Sequence, residues 1–478
     1  MILKEKISNA LFYMVGQRLF AGILNLVIIG YLARIVSKEE FGVIAISKVL
    51  FAFIGSVGLS GLTEYIIYYQ GENKKEIYNS TFWLNCIITL LISTAIFISA
   101  PYFANYYQDF RITNIVYLLI ISFFFSSLSS IPLSIFKKEM QFKEIVLPRF
   151  FIGTINQISM LIMAYLGYGL YSLVIPPVFA SIISCMFYYY ISSFRPRFDF
   201  FGIKYWRKIF SYTKYLIVNI FFSKLTNDAD TLLIGKRLDL KNLGMYDLSY
   251  NFSNLFYINT MPILNNITFP VFSKNQNDLN KVRDQFLKLL SISSFFYIPI
   301  TIFLILSAHI TVEILYGPKW IDIIIPYQIL SVYIIFRSIS APASSLYNAL
   351  GKPEINTYYN LVFTPILIVG IYFFTTYGLI TTCIFIMITR SLGSLYHIYK
   401  CKQLISYSYN SFLERIITSV VPSLLSFIIT FGVINYTGNQ FFCLVFPILY
   451  LTVFLIFYKK SFLKNVNLIL SFIKLKIK

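Results

Sequence analysis

The chain has 478 residues, of which 57% are hydrophobic, 19% aromatic and only 13% charged. A soluble domain carries roughly 25% charged residues, so an ordinary soluble enzyme or binding module is excluded. Lys and Arg total 40 against 20 Asp and Glu, a net charge of +20. They concentrate in alternate loops between apolar runs, which is the pattern of a polytopic membrane protein and not of a nucleic-acid binder.

Fourteen apolar segments approach the roughly 20 residues needed to cross ~30 Å of hydrocarbon. The first two, 9–34 and 41–68, carry Arg18 and Lys48, and the first runs on to Leu32 with no small-residue cleavage site behind it. Segments 81–103, 111–136, 145–166 and 171–192 follow, then a basic stretch holding Arg195, Arg197, Lys204, Arg207 and Lys208. Phe198–Ser211, with Trp206 and Phe210 among those cations, is expected to be an interfacial amphipathic helix. Segments 212–235, 243–271, 286–308, 321–350, 355–374 and 378–399 make a second group of six. Segments 412–434 and 440–458 complete the set, ahead of a tail from Lys459 to Lys478 that alternates Leu, Ile and Phe with Lys. Gly55, Gly58, Gly61, Pro132 and Pro342 are expected to interrupt their spans, with neighbouring helices satisfying the freed backbone groups.

With the N-terminus in the cytoplasm, 28 of the 40 Lys and Arg fall in inner segments, 7 in outer loops and 5 within spans. The positive-inside rule therefore places both termini in the cytoplasm. Internal repetition divides the first twelve spans. Arg18 precedes Gly30 as Lys224 precedes Gly235; each pair is followed by a short charged turn and a second glycine, Gly42 and Gly244, at a displacement of about 205 residues. Ser130-Ile-Pro132 leading to Phe142-Lys143 repeats as Ala341-Pro342 leading to Lys352-Pro353. The expected organisation is all-α: an N-lobe over 1–198 (helices 1–6) and a C-lobe over 199–402 (helices 7–12, entered through an interfacial linker at 199–211). Residues 403–478 add helices 13 and 14 and a basic cytoplasmic tail. The two six-helix lobes would be related by an axis along the membrane normal.

Arg18, Lys48, Lys224, Arg337 and Arg390 lie inside spans, where each cation costs about 2.5–3.5 kcal/mol at a helix centre unless it faces water or a partner. Helical spacing gives each a face of small or polar residues: Gly22 and Asn25 beside Arg18, Asp228 and Thr231 beside Lys224, Ser394 and His397 beside Arg390. Buried ion pairing is the plainer reading of any one of them, with Lys224 and Asp228 an obvious couple. As a set, the cations outnumber plausible intramembrane acids, and a cavity with surplus positive charge calls for an anionic passenger such as phosphate or pyrophosphate. Asp228 and Asp230 point about 200° apart on a helix, which argues against a shared metal. Glu64 and Asp247 read as interfacial carboxylates, His309 and His397 as structural, and Asn79-Ser-Thr81 as a chance sequon. The five cysteines show no CxxC or metal spacing and read as inert core residues; no motif calls for a cofactor.

Ser37-Lys-Glu-Glu-Phe-Gly42, Gly58-Leu-Ser-Gly-Leu62, Gly167-Tyr-Gly-Leu-Tyr-Ser-Leu-Val174 and Asp230-Thr-Leu-Leu-Ile-Gly235 resemble oligosaccharide flippases of the multidrug/oligosaccharidyl-lipid/polysaccharide exporter superfamily. Leu243-Gly-Met-Tyr246, Phe269-Pro-Val-Phe-Ser273, Tyr316-Gly-Pro-Lys-Trp320 and Gly351-Lys-Pro353 extend the likeness over nearly the whole chain. The nearest branch is the Wzx-type exporters of O-antigen and colanic acid. The resemblance implies fourteen helices around a central cationic cavity and alternating access. The cargo would be an undecaprenyl-diphosphate-linked oligosaccharide, carried to the outer leaflet of the bacterial inner membrane for O-antigen, capsule or exopolysaccharide assembly. It implies that Arg18 and Lys48 hold the pyrophosphate. Lys224, Arg337 and Arg390 join them on the membrane-charge argument, with Asn25 and Asp228 as polar support. Expected partners are membrane lipids, H+ or Na+ as coupling ion and the polymerase or ligase machinery, with no nucleic acid. A cation-coupled drug exporter of the same superfamily would favour acidic cavity residues. A membrane glycosyltransferase or polymerase would need a larger outer loop than the dozen or so residues available.

Overall fold

The structure is a computed structural model and describes residues 21–22, 24–69, 71–198 and 203–458. Every regular element among them is helical, and ten helical stretches are long and apolar enough to cross a membrane. Arg18, the start of the first predicted span and the basic tail lie outside the described residues.

The chain divides into two compact units, one ending at residue 244 and one beginning at 245. The first contains α1 (Leu24–Ile35), α2 (Lys38–Tyr68), α3 (Lys74–Tyr107), α4 (Arg111–Lys138), α5 (Phe142–Tyr165), α6 (Ile175–Ile191) and α7 (Ile203–Arg237). Helix α8 (Leu240–Lys274) starts at its end and supplies the second unit, which continues through α9 (Leu279–Leu306), α10 (Ala308–Tyr316), α11 (Ile324–Ser340) and α12 (Pro342–Ala349). Then come α13 (Glu354–Phe374), α14 (Leu379–Ile405), α15 (Tyr409–Thr437) and α16 over residues 446–458.

Helix starts follow local chemistry. Ser37 opens α2 with a full capping box: its Oγ accepts from Glu40 N, and Glu40 Oε2 accepts from Ser37 N at 2.8 Å. At α8, Asp239 Oδ1 accepts from Asn242 N at 2.5 Å. Both caps sit far enough upstream that Gly42 and Gly244, expected at the far side of charged turns, become the fifth residues of helices.

Two expectations change. Helix α2 is continuous through Gly55, Gly58 and Gly61, and α4 through Pro132; only Pro342 separates two helices. A proline removes the N–H that would bond the carbonyl four residues back. For Pro132 that carbonyl is Leu128 O, which accepts Tyr189 Oη at 3.1 Å. For Pro299 in α9 it is Phe295 O, which accepts Tyr450 Oη at 3.2 Å. A hydroxyl from a neighbouring helix replaces the missing donor, so the helix survives.

The second change concerns 198–211. Residues 203–211 are the first turns of α7, not a separate surface helix. Ile209 is fully buried, and Tyr205 and Trp206 pack on Leu62, Tyr65, Ile77 and Ile135. The preceding loop is tied to α3: Arg197 N donates to Asn79 Oδ1 at 2.7 Å while Asn79 Nδ2 donates back to Arg197 O at 2.5 Å.

In the second unit α9 is central, with 78% of its most apolar stretch buried. One face meets Leu346, Tyr347, Cys401 and Tyr407; the other meets Ile434, Phe446, Tyr450 and Phe454 of α15 and α16. The five cysteines form no disulfide, four being buried and Cys86 half-buried, in keeping with core residues.

Candidate functional site

Of the five predicted cations, the structure brings two together. Arg337 lies on α11 and Arg390 on α14, helices that pack on each other within the second unit. Helix α8 supplies the facing side chains. Tyr250, Asn254 and Tyr257 follow the i, i+4, i+7 spacing of one helix face. Arg337 Nη1 donates to Asn254 Oδ1 at 2.5 Å, and its Cζ stands 4.2 Å from the Tyr257 ring centroid. Arg390 Nη1 donates to Tyr250 Oη at 2.8 Å, with Cζ 5.2 Å from the same ring. Tyr333, one helical turn before Arg337, serves both: its centroid is 5.8 Å from Arg337 Cζ and 5.9 Å from Arg390 Cζ.

A guanidinium cannot shed its proton in a protein, so burial must be met by partners. Arg390 is 6% exposed and Arg337 half-buried. The partners of Arg337 are the π faces of Tyr257 and Tyr333 and the neutral amide of Asn254. Cation–π contacts contribute about 2 kcal/mol when desolvated, enough to hold a cation without neutralising it. Among the described residues Arg337 has no carboxylate within ion-pair distance. Arg337 thus retains its positive charge and can receive an anion through its remaining guanidinium N–H groups.

The other predicted residues lie elsewhere. Lys224 pairs with Asp228 one turn on, Nζ to Oδ2 3.6 Å, both side chains partly exposed, which is the ion-pair reading. Asp230 is buried, its Oδ1 accepting from Thr231 N. Lys48 is exposed on α2 and Asn25 half-buried on α1. His397 is built into the structure: Tyr347 Oη donates to its backbone oxygen at 2.9 Å, and the Tyr359 ring lies 4.4 Å from its imidazole. The residues that reasoning from sequence missed are Tyr250, Asn254, Tyr257 and Tyr333. The α8 stripe and the i, i+4 relation of Tyr333 to Arg337 were the available signals.

Residues 31–325 match the family model described as "Polysaccharide biosynthesis protein". The chain belongs to this family. Its match runs from α1 into α11 and includes Lys48 and Lys224, ending before Arg337 and Arg390. Similar relatives include "Lipopolysaccharide biosynthesis protein WzxC" of Escherichia coli K12, 25% identical over 384 residues, 77% of this chain and 76% of that one. "Teichuronic acid biosynthesis protein TuaB" of Bacillus subtilis is 22% identical over 294 residues, 61% of each chain. Among solved structures, "Lipid II flippase MurJ, inward closed conformation" superposes with a TM-score of 0.74 at 19% identity, covering 98% of this chain and 100% of that one. An inward-facing multidrug transporter of the MATE family superposes at 0.67, with 13% identity over 82% of this chain and 98% of that one. The chain therefore has the all-helical fold of these transporters.

Proposed function

We propose that the chain is a flippase that moves undecaprenyl-diphosphate-linked oligosaccharide units from the inner to the outer leaflet of a bacterial inner membrane. It does so by alternating access, without covalent chemistry, to feed the assembly of a surface polysaccharide. The observation that carries this reading is the pairing of a flippase-type fold with two neighbouring guanidiniums held by tyrosines. The named roles of the relatives, lipopolysaccharide and teichuronic acid biosynthesis, supply the substrate class. In the full organisation proposed, fourteen helices form two six-helix lobes and an appended pair, with both termini cytoplasmic. Arg337 and Arg390, with Arg18, Lys48 and Lys224, attract the diphosphate and any acidic sugar; Asn25 and Asp228 support them. The lipid tail stays in the bilayer, and H+ or Na+ drives the return. A drug exporter shares the fold, but cationic drugs call for acidic groups at the position that Arg337 and Arg390 occupy.

The test is flipping of a fluorescent undecaprenyl-diphosphate oligosaccharide in proteoliposomes. Wild type should move it, and Arg337→Gln together with Arg390→Gln should slow it at least tenfold at normal protein level. Full activity in the double variant removes the site. No protein-dependent movement of several glycans, alongside transport of a cationic dye, removes the flippase.

A further inference from the structure

Where the start of α2 meets the α3–α4 and α7–α8 turns, the first unit holds a cavity of about 450 Å³. Ligand sites run to roughly 300–1,000 Å³. Its walls are fixed. Helices α2 and α8 start in backbone contact: a Cβ added at Gly42 would stand 2.7 Å from the Leu240 carbonyl carbon, and one at Gly244 2.9 Å from that of Lys38. The contact is packed by fully buried Val43, Ile46, Ile234 and Leu243. At the other wall α3 is tied to α7: Tyr107 Oη donates to Leu232 O at 3.1 Å, and Lys236 Nζ to Tyr106 O at 2.5 Å. All of it belongs to one compact body, so a ligand entering the cavity has little ordering to offset.

The lining is polar and carries both signs. Glu39, Asp109, Asp239, Lys236 and Lys241 line it, and Arg111, which joins Glu39 at 2.7 Å and Asp109 at 2.6 Å, brings the charges to three of each sign. That balance gives no net attraction to a diphosphate. Among the described residues no group of His, Cys, Asp and Glu is placed to hold a metal ion. An acyl chain or an apolar drug would strip water from these charges without replacing it. What the lining offers is hydrogen bonds in both directions. Asp109 is committed to Arg111, and Asp239 caps α8 through Asn242 N at 2.5 Å. Among the described residues Glu39 Oε2 caps nothing and pairs with nothing, and the side chains of Gln108 and Lys241 meet no partner. These three supply a carboxylate acceptor, an amide that both accepts and donates, and an ammonium donor. Tyr106, 53% exposed, sets an aromatic ring and a phenol beside them. Acceptor, donor and ring together match a sugar, whose adjacent hydroxyls each give and take hydrogen bonds while its C–H groups lie against an aromatic face.

We propose that this cavity is a saccharide-binding site at the outer surface, built from residues other than Arg337 and Arg390, that takes hold of a sugar of the passenger on the far side of the membrane. The inference rests on the flippase reading and on the loop charges that put the α3–α4 and α7–α8 turns outside. The test is a glycan array probed with the full chain in nanodiscs, using neutral and uronic-acid oligosaccharides that carry neither lipid nor phosphate. Wild type should bind a subset of them. Gln108→Ala with Lys241→Ala, both exposed and outside every ion pair, should lower that signal at least tenfold. Arg337→Gln with Arg390→Gln should leave it within twofold. A diazirine derivative of the strongest binder should attach within residues 106–108 or 236–241. Binding to no glycan overturns the site, as does a signal that survives the Gln108 and Lys241 changes or disappears with the two arginines. Should the array behave as expected while wild type flips nothing in proteoliposomes, the saccharide site stands and the flippase reading falls.

Discussion

The tyrosine that caps the carbonyl freed by Pro299 can be tested with a double-mutant cycle. Tyr450→Phe removes the hydroxyl that Phe295 O accepts at 3.2 Å and leaves the ring, which is 5% exposed and packs against Phe295, Phe446 and Phe454. A buried carbonyl left unsatisfied costs about 1–3 kcal/mol in soluble proteins, and interhelical hydrogen bonds in membranes average about 0.6. The expected loss is therefore about 1 kcal/mol in the proline background. Pro299→Ala restores an N–H four residues after Phe295, so the helix can satisfy that carbonyl itself. In the Pro299→Ala background, Tyr450→Phe should cost close to nothing, giving a coupling of about 1 kcal/mol. Reversible unfolding in mixed micelles titrated with dodecyl sulfate measures all four corners. Equal losses in both backgrounds, within about 0.5 kcal/mol, would show that the hydroxyl does something other than replace the proline's missing donor.

Asn79→Ala should destabilise by about 1–3 kcal/mol in the same assay, because Arg197 N loses its acceptor and Arg197 O keeps only the Trp83 indole as donor; Asn79→Asp should recover only the acceptor half. Asp278 is held below the usual carboxylate value by the backbone N–H of Lys281, which it caps at 3.1 Å. A depressed folded pKa means stability present above the unfolded pKa and lost as pH falls through the folded one, so thermal scans from about pH 6 to pH 3 should show an acid-side drop that Asp278→Asn flattens. Tyr250→Phe keeps the ring but removes one acceptor of Arg390 and should cost about 1.5–3 kcal/mol, as for a hydrogen bond to a charge; unchanged unfolding would mean that the Tyr250 hydroxyl adds nothing to holding the cation. Under the flippase reading, Lys224→Ala should slow flipping less than Arg337→Gln, because Lys224 already has Asp228 beside it; equal losses in vesicles would refute that ranking.

The helices from α2 onward were legible because apolar run length survives almost any tertiary context, and the predicted spans from 41–68 on coincide with helical stretches. The glycine repeat was legible too, although its meaning was not: a sequence shows that Gly42 and Gly244 recur, and only the packed backbones show that they face each other. Predicted breaks at Gly55 and Pro132 failed for a physical reason. The hydroxyl that rescues Pro132 belongs to Tyr189, 61 residues along the chain from the carbonyl it bonds, and nothing local announces it. Trp206 misled for a related reason, since a basic aromatic stretch looks the same whether its apolar face meets lipid or, as Ile209 does, protein. The tyrosines around Arg337 were hidden by abundance. With 38 Tyr in the chain, only their position on the same face as Asn254 distinguishes Tyr250 and Tyr257.

The choice of tyrosine and asparagine around Arg337 bears on how a passenger could be both held and released. A carboxylate partner would convert the cation into a dipole, and an arriving phosphate would have to displace it, recovering only the difference between two similar attractions. A π face and a neutral amide orient the guanidinium while leaving its net charge to the site. They also use few of its five donors, so an anion can bind the remainder without breaking what is there. On the flippase reading, Arg390 shares Tyr333 with Arg337, and two guanidiniums raise the potential felt by a diphosphate more than either alone. The same weakness favours release: Arg337 strands no buried counter-ion when the anion departs. Lys224 with Asp228 represents the opposite arrangement, compensated in advance and suited to a structural tie. The contrast divides the predicted cations by their neighbours, a distinction that hydropathy and spacing alone do not draw.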